Sequence, residues 1–283
     1  MNDGLFNCIA ILDAIPDGEL NTARRLRESL HDLSDYEEVG LQVRYVRIET
    51  LDDLKDGIQS LIDEIQTRGL KPWIHLEGHG LDDESGFQTA NSTNCTWEFF
   101  KDLITPINVL SGFNVLLILA TCFGGSFTAA IKTSDRAPVL GLVGPIEEIE
   151  VGHIDDGFIS FYRAFFNSSS LKEALRALNT ASPGTQYYWN TAEQFFYDVW
   201  SNYKRKHCTK KEIANRARRI FRNAKEGKQS NVLSIDRIKR MFPSMEKQLF
   251  ERYRNTYFMY DLDKGFQKKF PVTYEIAEKY ASR

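Results

Sequence analysis

Apolar positions along the first half of the chain alternate between two rhythms. Cys8-Ile9-Ala10-Ile11-Leu12 is a continuous, largely β-branched run, the pattern of a strand buried on both faces of a parallel sheet. Leu20, Ala23, Leu26, Leu30 and Leu33 then recur at helical spacing with Arg, Glu and Asp between them, which predicts an amphipathic helix. The alternation continues with a strand over 41–48 and a helix on Leu54, Ile58, Leu61, Ile62 and Ile65 that Gly69 closes. A third strand follows over 72–76. A polar loop over 81–93 leads to a helix around 97–104 and a strongly apolar fourth strand over 113–120. Gly124-Gly125-Ser126 opens a further helix carrying Ala130 and Ile131, and 138–143 supplies a fifth strand. This order predicts an α/β fold: a mostly parallel sheet flanked by helices on both faces, with right-handed crossovers. Such a sheet places functional residues at the C-terminal ends of its strands.

Beyond Asp155 the period becomes helical, with Phe158, Phe161, Tyr162 and Phe165 on one segment and Leu171, Ala174, Leu175 and Leu178 on the next. Ser182-Pro183-Gly184 reads as a break, which divides the chain into a first domain over 1–182 and an all-helical C-terminal extension over 183–283. From about 186 onward the pattern reads as helix throughout. Thr209-Lys210-Lys211-Glu212 has the form of a capping box ahead of Ile213, Ala217, Ile220 and Phe221.

Composition narrows the class. With 42% hydrophobic and 27% charged residues, the chain of 283 residues lies outside the disordered and collagen-like groups. Its longest apolar run, Val115-Leu116-Leu117-Ile118-Leu119-Ala120, is far short of the roughly 20 residues a spanning helix requires, so no membrane contact is expected. Met1-Asn2-Asp3 carries an acid where a signal peptide carries Lys or Arg, and the four cysteines (Cys8, Cys95, Cys122, Cys208) show no CxxC spacing. Reduced thiols and a cytoplasmic location are the expectation. Charge is uneven: residues 1–200 carry 14 Lys/Arg against 30 Asp/Glu, whereas residues 201–254 carry 17 against 5. An acidic body therefore precedes a basic module suited to docking on the body, on nucleic acid or on a partner.

Two strand ends deliver a reactive side chain followed at once by glycine. The third strand runs into Glu77-Gly78-His79-Gly80, and the fourth into Thr121-Cys122-Phe123-Gly124-Gly125. An isolated cysteine at such a place is ordinarily a small hydrophobe, and a lone histidine ordinarily a structural one. Together, at neighbouring strand ends, they suit nucleophilic catalysis: Cys122 attacks a carbonyl, and His79 takes up its proton and later protonates the leaving amine. The N–H groups of Gly80 and Cys122 suit an oxyanion hole, and a helix starting after Cys122 favours its thiolate.

His75-Leu76-Glu77-Gly78-His79-Gly80, with Ala120-Thr121-Cys122 ending the next apolar strand, then Val139-Leu140-Gly141-Leu142-Val143-Gly144 and the Asp156-Gly157-Phe158-Ile159-Ser160-Phe161-Tyr162 helix, resembles the CHAT group of caspase-like cysteine peptidases over about residues 1–180. The resemblance implies a caspase-haemoglobinase fold and a Cys122/His79 dyad with His75 in support. It also implies no metal or other cofactor for the chemistry, and cleavage of a protein substrate after a particular P1 residue. Ala120 stands where caspases have a Gln and metacaspase-like relatives often an Asp, so neither specificity transfers. The acids considered for an S1 pocket are Asp13 at the end of the first strand and Glu147 or Glu148 after the fifth. A buried, unpaired carboxylate there would favour a P1 Arg or Lys.

Competing chemistries fare less well. His75, Glu77 and His79 alternate as zinc ligands do, and His-x-Glu opens the zinc deaminase signature, but its Pro-Cys-x-x-Cys half is missing. No strand is followed by GxGxxG. The remaining rival is an inactive caspase-like scaffold whose basic helices bind a partner or nucleic acid through Arg218, Arg219 and Arg222. Bacterial relatives of this kind act in defence or regulated death, switched on by a partner complex, so the resemblance points to a regulatory protein or ribonucleoprotein partner. The sequence does not reveal self-cleavage, although 81–93 and 222–231 read as exposed loops open to processing.

Overall fold

In the computed structural model, which describes residues 6–36, 41–227 and 231–282, the chain forms two compact units. The acidic start Met1-Asn2-Asp3 lies outside the described residues. One unit comprises Met1–Ile131 and Pro138–Thr191, the other Lys132–Ala137 and Ala192–Arg283.

The first unit is built on a six-stranded sheet. In chain order its elements are β1 (Cys8–Asp13), α1 (Thr22–Tyr36), β2 (Gln42–Arg47), α2 (Leu51–Arg68), β3 (Pro72–Glu77), β4 (Gly86–Gln88) and β5 (Asn94–Thr96). There follow α3 (Trp97–Leu110), β6 (Leu116–Ala120), a 3₁₀ turn (Gly124–Ala130), β7 (Gly141–Pro145), α4 (Val151–Ser168), α5 (Leu171–Ala181) and β8 (Tyr187–Thr191). Strand order is β2-β1-β3-β6-β7-β8, with β8 antiparallel to β7 and all other neighbours parallel. Local signals fix the helices. Thr50 and Asp53 form a capping box at the start of α2, and Gly69 ends it at φ 67°, where a side chain would be strained.

Alternation along each strand sorts the core into two layers. Cys8, Ala10, Leu12, Ile74, Leu76, Leu117 and Leu119 pack with Leu54, Ile58 and Leu61 of α2 and Phe100 and Ile104 of α3. Ile9, Ile11, Trp73, Ile118 and Ala120 pack with Leu26 and Leu30 of α1 and Phe158, Phe161 and Tyr162 of α4. On this second face the strand ends turn polar: Asp13 opposes Glu77, and Glu77 opposes Ala120.

The second unit is helical, with α6 (Ala192–His207), α7 (Lys210–Glu226), α8 (Ile235–Tyr257), α9 (Phe266–Lys269) and α10 (Tyr274–Ala281). Phe196, Trp200, Phe250, Tyr257 and Phe258 form its aromatic centre, with the Trp200 and Phe250 rings edge-on at 4.9 Å. Lys204 there pairs with Glu246 and, at 3.0 Å, with Glu278. Ala217 of α7 packs with Ile238 and Phe242 of α8.

Several elements differ from the pattern reading. Residues after 186 do not pass straight into helix: Tyr187–Thr191 adds an antiparallel edge strand, its side chains only half-buried and so without an apolar run. The loop over 81–93 holds β4, which pairs with β5 as a hairpin. The fifth strand begins at Gly141 rather than 138. After Cys122 the chain makes a seven-residue 3₁₀ turn instead of an α-helix, so little helix dipole acts on the sulfur. Of the expected loop at 222–231, residues 222–226 belong to α7, and 228–230 lie outside the described residues.

Candidate active site

β3 and β6 are hydrogen-bonded parallel neighbours with Glu77 opposite Ala120, and the two reactive residues lie at the same offset beyond that pair: His79 two residues past Glu77, Cys122 two past Ala120. Their backbones meet at Gly80. A Cβ on Gly80 would stand 2.0 Å from the Cys122 carbonyl oxygen, so only glycine permits the approach. Gly80 bridges Phe87 of β4, but the bonds belong to its neighbours: Gln88 N–H donates to His79 O at 2.8 Å and Leu81 N–H to Gly86 O at 3.0 Å. In that antiparallel pattern the N–H of Gly80 points away from β4.

Immediately after the sulfur, Phe123 adopts φ 57°, ψ 22°, a left-handed conformation that costs a bulky residue about 1–2 kcal/mol. Phe123 N–H donates to Glu147 O at 3.2 Å and Gly124 N–H to Thr121 O at 3.1 Å, which holds the sharp turn. Cys122 is left half-buried, its Sγ accepting from Ile149 N–H at 3.5 Å. It faces a cleft of about 80 Å³, lined also by His79, Glu19, Glu77, Ala120 and Ile149. Cys8 and Cys95 are buried in the core, and burial pushes both thiols up to about 12.

His79 is about half exposed, and its Nε2 lies 2.9 Å from Glu19 Oε2. With Nε2–H donated to that carboxylate, Nδ1 becomes the basic nitrogen. Beneath, Glu77 is 2% exposed; one oxygen accepts from the Thr22 hydroxyl and the other lies 2.9 Å from His75 Nε2. The His75 ring is fully buried, edge-on to Phe158, with its Nδ1 3.2 Å from the Tyr162 hydroxyl. Burial raises the Asp155 carboxyl above its usual range, against the pull of Arg25 and with the push of Asp156 and Glu77.

The other acids read from the sequence lie elsewhere. Asp13 is fully buried but saturated: it accepts from Tyr45 OH, from Asn21 Nδ2 at 2.8 Å, from Arg47 Nη1 at 3.0 Å and from Ile15 N–H at 3.0 Å. Glu147 accepts from Gln186 N–H at 2.8 Å and Glu148 is exposed; none of the three lines the cleft. The acids that do are Glu19 and Glu77, and pattern reading noticed Glu77 only as a possible zinc ligand. Among the described residues no group of three His, Cys, Asp or Glu is placed to hold a metal. His75 and Glu77 bond each other, and His79 bonds Glu19.

The chain matches no family model and no curated protein. Among solved structures, the Drosophila initiator caspase Dronc is similar over 66% of this chain and 81% of its own, at 12% identity and TM-score 0.48. The secreted C11 cysteine protease iotapain of Bacteroides thetaiotaomicron is similar over 72% of each chain, at 8% identity and TM-score 0.47.

Proposed function

We propose that the first unit is a caspase-like cysteine endopeptidase of the CHAT type. The observation that carries this reading is the convergence of Cys122 and His79 on one cleft, beside two backbone segments that only Gly80 allows to touch. His79 Nδ1 takes the Cys122 proton as sulfur bonds to the scissile carbonyl carbon, while the Gly80 and Cys122 N–H groups receive the oxyanion. As the C–N bond breaks, the imidazolium returns that proton to the departing amine. Water, deprotonated by His79, then cleaves the thioester and frees the thiol. Glu19 keeps the ring in the required tautomer.

The basic helical unit, in this reading, recruits the regulator. Arg218, Arg222 and Lys225 recur three or four residues apart, with Lys211 seven residues before Arg218, and all are exposed, so they form one cationic stripe along α7. Such a stripe suits a polyanion such as the RNA of a ribonucleoprotein, and it favours a switch that turns the peptidase on in a bacterial, antiviral defence system. Four free cysteines support a reducing, cytoplasmic setting.

A peptide-library cleavage assay comparing wild type with Cys122→Ala tests the activity. Cys122-dependent products are the expected result. Iodoacetamide supplies the second arm: alkylation of Cys122 that is rapid and slows in His79→Ala supports the dyad, whereas a rate equal to that of an unactivated thiol in both proteins sinks it.

A further inference from the structure

We propose that Glu77 is the floor of the substrate pocket and selects a cationic side chain, arginine or lysine, at the residue preceding the scissile bond. The assignment rests on the peptidase reading of Cys122 and His79 and names the substrate class of that cleft.

Glu77 stands at the polar strand ends of a sheet face that is otherwise mostly apolar, only 2% exposed, yet it lines the cleft that holds the sulfur. Thr22 and His75 supply one hydrogen bond each, which leaves lone pairs of the carboxylate unfilled. Of the two His75 ring nitrogens only Nε2 faces the carboxylate; Nδ1 lies 3.2 Å from the Tyr162 hydroxyl. The neighbouring buried acids have their own cations: Arg47 at 3.0 Å from Asp13, and Arg25 at 2.9 Å from Asp155. Among the described residues no lysine or arginine pairs with Glu77. A desolvated carboxylate without a counter-ion is costly, and a cation entering the cleft removes that cost.

Space and field agree. Ala120, in register with Glu77 on the next strand, contributes only a methyl group and leaves the carboxylate approachable from the cleft. The volume of about 80 Å³ holds roughly five to eight water-sized groups, comparable with a lysine or arginine side chain. Glu19 adds a second negative group on the wall, and Asp155, whose Oδ1 is buried without a hydrogen bond, is close enough to feel the charge of Glu77. The residues lining the cleft thus include two carboxylates and no lysine or arginine.

Matched peptides with arginine or its neutral isostere citrulline before the scissile bond provide the test. For the wild type, kcat/KM is expected to favour arginine by about 10²-fold or more, as in sites that leave a buried polar group unpaired with the wrong substrate. In Glu77→Gln the ratio is expected to fall to about one. Retention of the arginine preference in that variant, or its absence from the wild type, overturns the assignment. Should Glu77→Gln fail to fold, Ala120→Val narrows the cleft beside the carboxylate: arginine turnover is expected to drop about tenfold with alanine-preceded cleavage less affected, and equal turnover overturns the assignment.

Failure of the specificity and failure of the peptidase reading give different results. Cys122-dependent cleavage after neutral or acidic residues removes the role of Glu77 and keeps the enzyme. If no peptide is cut, benzamidine protection of Cys122 against iodoacetamide judges the pocket alone. Protection that neutral benzamide does not give, and that Glu77→Gln abolishes, supports the cation site; equal protection by both compounds, or none, ends it.

Discussion

The sheet unit turns its charges inward and pairs them, whereas the helical unit displays a row of them. In the first, Asp13 is bound by Arg47, Asp155 by Arg25 and Glu64 by Arg44. In the second, Lys204 and Glu246 are matched inside, but Arg218 and Arg222 of α7 stand exposed with no carboxylate partner among the described residues. Buried charges are individually expensive, so each one that persists needs a partner, and Glu77 draws attention as the exception. Exposed cations cost little and act through their sum over a surface. One kind of charge specifies a site; the other specifies a field.

That contrast breaks most decisively at the chemistry. Cys122→Ala and His79→Ala are expected to lower kcat/KM by roughly 10³-fold or more while leaving the urea midpoint near wild type, because neither side chain fills the core. Next in size is a buried pair. Arg47→Met strands Asp13 among Tyr45, Asn21 and the Ile15 amide, and about 3 kcal/mol of stability should disappear in urea unfolding.

Alkaline titration gives a smaller but signed effect. Cys8 and Cys95 hold their protons to about 12 in the native protein, against 9.0 for an ordinary thiol. The folded state therefore binds more protons than the unfolded state between those values. Stability is unaffected below about pH 9 and declines as pH rises towards 12, a trend that Cys8→Ala or Cys95→Ala lessens in pH-dependent melts. Smallest for the fold is the surface. Changing Arg218, Arg219 and Arg222 to alanine should move stability by no more than about 0.5 kcal/mol at each site. The same triple variant is expected to reduce the slope of log affinity against log salt for RNA by roughly two to three, read from filter binding. An unchanged slope would show the stripe to be a solvated face.

Much of the first unit was legible because parallel strands buried on both faces leave an uninterrupted apolar trace, as Cys8–Asp13 and Leu116–Ala120 do. The strand ends were legible too, since a glycine directly after His79 and a glycine pair shortly after Cys122 mark sharp turns in any context. β8 was not: Tyr187–Thr191 is an edge strand with half-buried side chains, three consecutive aromatics followed by Asn190 and Thr191, so no alternation distinguishes it from a helix start. Nor was the place of Glu77. Its partners come from Thr22, 55 residues earlier, and through His75 from Tyr162, 87 residues beyond that ring. Spacing along one strand suggested a metal ligand; the packing of α1 and α4 on the sheet gives the carboxylate Thr22 and His75 as its partners instead.

The closeness of Gly80 to the Cys122 carbonyl also bears on how this protein can change over time. Even an alanine at position 80 would have to push the neighbouring strand end aside, and the sulfur moves with it. A lineage drifting through this position thus cannot trade activity gradually for some other benefit. On the peptidase reading, its first step at residue 80 silences the enzyme, and a return requires restoring the one residue without a side chain.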